Sequence, residues 1–203
     1  SGGAEGKDII YQNGNLYLTG SFDDSVAFSN RDTLFSSNGA AFLMKMDTSG
    51  TVEWVVKNDT STSFSNSSTS GNGIAISDSI AAICGKKAGY FFVSKYDTSG
   101  NLQNEKISYS RLKSYQYGKI RDTEFDSSRN LLIVGDFTDS ISFDTITKKS
   151  YGKQDGFISK FGPKLNLKWT YNLGSTKSAE KANAIDLEKD GSFYVTGTFR
   201  DSF

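Results

Sequence analysis

The chain of 203 residues carries 23 basic and 23 acidic side chains, a zero net charge that argues against the clustered Lys and Arg of a nucleic-acid surface. With no histidine and one cysteine, Ser-His-Asp and Cys-His catalysis, an internal disulfide and a cysteine-rich metal site are all excluded. No apolar run approaches the roughly 20 residues of a membrane helix. The opening SGGAEGK lacks a signal peptide's apolar core, so any export signal is expected outside this sequence.

Proline occurs once, while Tyr, Phe, Val, Ile and Thr alternate with Gly, Ser, Asn and Asp, which reads as all-β. The string GNLYLTGSFDDSVAF (14–28) returns as RNLLIVGDFTDSISF (129–143) and GSFYVTGTFRDSF (191–203), with a weaker copy, DSIAAICG, over 78–85. Its closing glycines, Gly20, Gly85, Gly135 and Gly197, stand 65, 50 and 62 residues apart. A second marker, Phe-x-x-Lys, ends on Lys45, Lys95 and Lys160, and resolves the irregularity. Glycine to lysine is 25, 10 and 25 residues, and lysine to the next glycine is 40, 40 and 37. The unit is thus nearly constant, with a 15-residue excursion that the second copy lacks. Nine residues beyond the lysines stand Trp54, Asn104 and Trp169.

Each unit holds four strand-like runs separated by turn chemistry, with no helical period. In order they are KDIIY, NLYLTGSF, AFLMKMD and VEWVVKN in the first unit, and their counterparts in the others. The second run is apolar on both faces: Leu16 and Leu18 on one, Tyr17 on the other. Such a strand must be covered on both. Four-stranded meanders that bury both faces against their neighbours are propeller blades. The expectation is one β-propeller segment over 1–203, an incomplete ring of about three and a half blades. Its units are about 4–66, 69–114 and 116–177, with a partial unit over 179–203.

GNLYLTGSF followed by AFLMKMDTSG and EWVVKN resembles the bacterial β-propeller repeat family known as SBBP repeats. The resemblance covers nearly the whole chain and is most specific in Gly-Asn-x-Tyr-x-Thr-Gly and the Asp-x-x-Gly turn. It implies a propeller on secreted or surface-associated proteins, with no activity attached to the repeat. The second copy lacks the excursion, the Thr before Gly85 and the Trp.

Candidate sites are few. Phe-x-Asp-Ser recurs around Asp24, Asp139 and Asp201; it reads as an Asx or Ser turn in preference to a calcium loop. Trp54 and Trp169 are expected to fill space between blades, and Cys84 to be a small buried residue. The three Phe-x-x-Lys lysines are expected to snorkel from the sheet edge. Asn58-Asp59-Thr60 and Asn66-Ser67-Ser68 match a glycosylation string at the rate chance allows.

No cofactor, metal or catalytic set is called for. The leading expectation is a non-catalytic binding or scaffolding module, secreted or at the cell surface. Its partners would be the remaining blades of a longer chain or an oligomeric partner, with a protein or glycan ligand. That ligand is expected on the end carrying the long second-to-third and fourth-to-first strand connections. There, the missing excursion of the second unit would leave a gap floored by Lys86, Lys87 and Tyr90. The alternatives are a carbohydrate hydrolase with an acidic pair near the axis, and a structural spacer.

Overall fold

A computed structural model describes residues 2–28, 33–58, 69–87, 90–108 and 118–200, and every regular element in them is a strand. The first sheet is the meander β1 (Ala4–Gln12), β2 (Asn15–Ala27), β3 (Thr33–Asp47) and β4 (Val52–Asn58). The second is β5 (Thr69–Ser77), β6 (Ile80–Lys87), β7 (Tyr90–Asp97) and β8 (Leu102–Ile107). In the third, β9 (Gly118–Phe125) and β10 (Leu131–Phe137) precede a small hairpin, β11 (Ser140–Phe143) and β12 (Ile146–Lys149). The chain then returns as β13 (Asp155–Phe161) and β14 (Leu167–Leu173), and a hairpin of β15 (Lys181–Leu187) and β16 (Phe193–Thr198) follows. All strand pairs are antiparallel, as four short runs per unit joined by tight turns predict. The turns repeat one device: Oδ1 of Asp47, Asp97 and Asp126 accepts the backbone N–H groups two and four residues on.

The sheets stack through apolar faces. Tyr17, Ala41 and Leu43 of the first meet Ile74, Ile83, Phe92 and Tyr96 of the second. Ala82, Cys84, Phe91 and Val93, on the second sheet's other face, meet Ile120, Leu131, Phe137 and Phe157 of the third. Leu132, Val134 and Ile158 then meet Ala182 and Ile185 of the terminal hairpin. Cys84 is fully buried here, and burial raises its thiol pKa far above the ordinary range.

The repeated glycine has a definite cause. The first strand of each unit carries a one-residue bulge, at Lys7, Asn72, Arg121 and Asn183, opposite Gly20, Gly85, Gly135 and Gly197. A Cβ on those glycines would stand 2.0, 1.9, 2.1 and 1.9 Å from the carbonyl oxygens of Glu5, Ser70, Lys119 and Lys181. The bulge therefore presses backbone on backbone, and only glycine leaves room.

Just past the bulge, Asp8 accepts Ile9 N–H at 2.8 Å and Ile74 N–H of the next sheet at 2.9 Å. Asp122 does the same with Thr123 (2.8 Å) and Ile185 (2.9 Å). Gly73 takes that position in the second sheet, and Asn72 makes the link instead, donating to the Ile120 carbonyl at 2.9 Å.

The 15-residue excursions lie in the second-to-third strand connections of the first and third units. They do not stand off the sheet end as free loops, because each carries apolar residues that fold back on its own sheet. In the first unit β2 and β3 run on past the sheet, pairing from Asp24↔Ser36 to Ala27↔Thr33. Phe28 then lies 6.0 Å from Phe22 and 4.7 Å from Phe42, ring to ring. In the third unit the excursion is β11–β12, with Ile141 and Phe143 buried between the second and third sheets and Phe143 edge-on to Phe161 at 5.1 Å. Asp144 at its tip accepts Leu167 N–H at 2.7 Å and pairs with Lys106 of β8. The hairpin is a wedge between sheets, so shortening it removes core. Phe143→Ala is expected to cost about 3–5 kcal/mol of unfolding free energy. Urea denaturation checks this, and a loss under about 1 kcal/mol would show that the wedge is not core.

A basic hollow at the strand ends

The ends of the first two strands of three successive units enclose a hollow of about 270 Å³, lined by Lys7, Ser21, Ser70, Asn72, Lys86, Gly118 and Lys119. It lies at the end of the sheets where the second-to-third and fourth-to-first strand connections are made. The bulges put it there. An extra residue turns a side chain out of the strand's alternation, and two bulge residues, Lys7 and Asn72, are part of the lining. Arg121, the third bulge residue, pairs with buried Asp136, which also accepts from Gln154. Lys7 pairs with Glu5. Among the described residues Lys86 and Lys119 form no ion pair. Burial first, then the Arg121 and Lys7 charges, hold the Lys119 ammonium below the usual lysine range. The hollow is thus lined by ammonium, hydroxyl and amide groups, a set of donors suited to an anion.

The predicted residues separate. Lys86 lines the hollow. Lys87, next along β6, points to the opposite face, is 6% exposed, and is bound to Asn58 and Glu105. Tyr90 pairs with Lys87 across the hairpin and is half-buried. Lys87 occupies the repeat position of Phe22 and Phe137.

Trp54 and Trp169 both sit at sheet-to-sheet joints. Trp54 donates Nε1–H to the Thr98 carbonyl at 3.1 Å and meets Tyr17 edge-on; Trp169 lies over Phe193 with centroids 6.4 Å apart. Asp24 and Asp139 of Phe-x-Asp-Ser take left-handed φ values of 57° and 64°, where the strand bends into each excursion. Asp201, Asp59 to Thr60 and Asn66 to Ser68 lie outside the described residues. Among the described residues no group of three or more acidic, His or Cys side chains is placed to hold a metal ion. Lys45 and Lys160 reach Glu53 (2.6 Å) and Asp126 (2.7 Å) as edge lysines do. Lys95 does not: it is buried, donates to the Pro163 carbonyl at 3.1 Å, and burial lowers its pKa to about 8.

An acidic groove lies at the opposite end. This groove of about 270 Å³, between the third sheet and the terminal hairpin, is lined by Glu124, Asp126, Asp186, Glu188 and Lys189 among others. Burial, with the charges of Asp122, Asp186 and Asp8, raises the Glu124 carboxyl to about 7. No family model and no curated protein matches the chain.

Because Glu124 binds its proton more tightly folded than unfolded, it destabilises the fold as pH rises from 4.5 through about 7. Glu124→Gln is expected to flatten the fall of melting temperature across that window and to raise stability at pH 8. Parallel pH profiles of the two proteins would contradict it.

Proposed function

We propose that the chain is a segment of a β-propeller of SBBP-type repeats, serving a secreted or surface-exposed protein as a non-catalytic binding or scaffolding module. Its ligand presents an anionic group, a carboxylate, phosphate or sulfate, to the hollow at the ends of the inner strands. The observation that carries this reading is the convergence of Lys7, Lys86 and Lys119 from three successive units on one cavity, with Lys86 and Lys119 free of ion pairs among the described residues. A hydrogen bond to a charged group contributes about 1.5–3 kcal/mol. Titration calorimetry with inorganic phosphate and sulfate is therefore expected to show binding that Lys119→Glu weakens by about tenfold or more. Absence of binding by the unaltered chain at low ionic strength overturns the reading.

The propeller reading rests on equivalent positions. Tyr17, Ala82 and Leu132 are each covered by the following sheet, whereas their counterpart Tyr194 is 62% exposed. Ile74 and Ile185 are covered by the preceding sheet, whereas their counterpart Ile9 is 54% exposed. The two outer faces thus have the shape and character of the faces that bind each other inside the chain. Further blades or an oligomeric partner suit them. In sedimentation experiments the chain is expected to associate with rising concentration, and Tyr194→Glu to abolish that. A monomer at every concentration counts against it.

The acidic groove favours a second reading, glycoside hydrolysis with protonated Glu124 as the acid and Asp186 as its carboxylate partner. Release of reducing sugar that Glu124→Gln abolishes would establish it.

A further inference from the structure

The buried polar group between the first and second sheets has the composition and geometry of a reaction centre. Lys87 Nζ lies 2.9 Å from Asn58 Oδ1 and 3.0 and 3.1 Å from the two carboxylate oxygens of Glu105. Glu105 Oε1 also accepts from Asn58 Nδ2 at 3.1 Å, so one carboxylate touches both the amine and the carboxamide nitrogen. Asn58 Nδ2 has two hydrogens but three acceptors: Ser94 Oγ (2.8 Å), Tyr96 OH (2.8 Å) and Glu105 Oε1 (3.1 Å). Asn58, Ser94, Tyr96 and Lys87 are all under 9% exposed, and the Lys87 ammonium faces the Phe92 ring at 6.0 Å.

We propose that Lys87 and Asn58 join in an intramolecular isopeptide bond, formed by the folded chain without enzyme or cofactor and with release of ammonia.

The Lys87 ammonium lies within hydrogen-bond distance of both Glu105 oxygens, so the carboxylate is the group placed to take a proton from it. The neutral amine is then a nucleophile held against the carboxamide, an arrangement that replaces a bimolecular encounter. Its lone pair attacks Asn58 Cγ, forming the new C–N bond and a tetrahedral carbon. Glu105 delivers its proton to Nδ2 and takes one from the attacking nitrogen. The Cγ–Nδ2 bond breaks, the carbonyl reforms, and the proton that began on Lys87 leaves with the nitrogen as ammonium. Oxidation states do not change and no co-reactant is consumed. The three acceptors around Nδ2 suit the leaving nitrogen better than the starting amide, since ammonium supplies a hydrogen to each.

The product ties the end of β4 to the end of β6, a covalent clamp between neighbouring sheets at the unit whose sequence lacks the 15-residue excursion. Where Phe22 and Phe137 hold their units by burial, Lys87 would hold this one by a bond.

The test is the mass of the intact, unfolded 203-residue chain. The expected result is a deficit of one ammonia in most molecules. Digestion should then release a branched peptide containing Lys87 and Asn58. Lys87→Arg and Glu105→Gln, each checked for native β-sheet circular dichroism, are expected to show the full mass. Should a variant fail to fold, the branched peptide of the unaltered chain still decides. Full mass in the folded unaltered chain after prolonged incubation overturns the proposal. So does a deficit that persists in Lys87→Arg, which would come from succinimide formation at an Asn-Gly pair.

Discussion

The bulge on the first strand of each unit is the constraint from which the rest follows. One extra residue forces a carbonyl against the second strand, and that strand must have glycine where it is touched. The same residue breaks the alternation, so the side chain at the bulge points out of the strand's regular pattern: Lys7 and Asn72 line the hollow, and Arg121 pairs with Asp136. The residue after it is then set for a carboxylate to reach a backbone N–H of the next sheet. A packing irregularity thus does three things: it imposes the repeated glycine, stands beside the links between consecutive sheets, and supplies two residues of the hollow's lining.

The meanders were legible because their information is local. Turn chemistry and alternation are properties of short windows, and each recurs in three units. Trp54 and Trp169 stand at a fixed position of the repeat, and in the structure they meet Tyr17 and Phe193. The excursions were harder. Val26, Phe28, Ile141 and Phe143 are interspersed with Ser, Thr and Asp, and only the folded geometry shows that these few apolar residues lie on a single side.

Lys86 and Lys87 show the limit most clearly. Adjacent in sequence and alike in chemistry, they lie on opposite faces of a strand, and period two alone separates their fates. Whether the buried one finds partners depends on Asn58 and Glu105, which stand 29 residues before it and 18 after it. Asn58 belongs to the preceding unit and matched only a chance string. The hollow was hidden for a related reason: a net charge of zero is silent about where the charges lie.

That silence conceals a polarity. Lys7, Lys86 and Lys119 line a hollow at one end of the first and second strands, and Glu124, Asp126, Asp186 and Glu188 line a groove at the other, so a chain of zero net charge carries local patches of opposite sign. An approaching charged body would feel a torque before it felt contact, and would meet the molecule end-on in an orientation fixed by its own sign. Salt would erase this guidance over a distance of about 8–10 Å while leaving the buried ion pairs nearly untouched. Steering and cohesion would therefore respond separately to ionic strength.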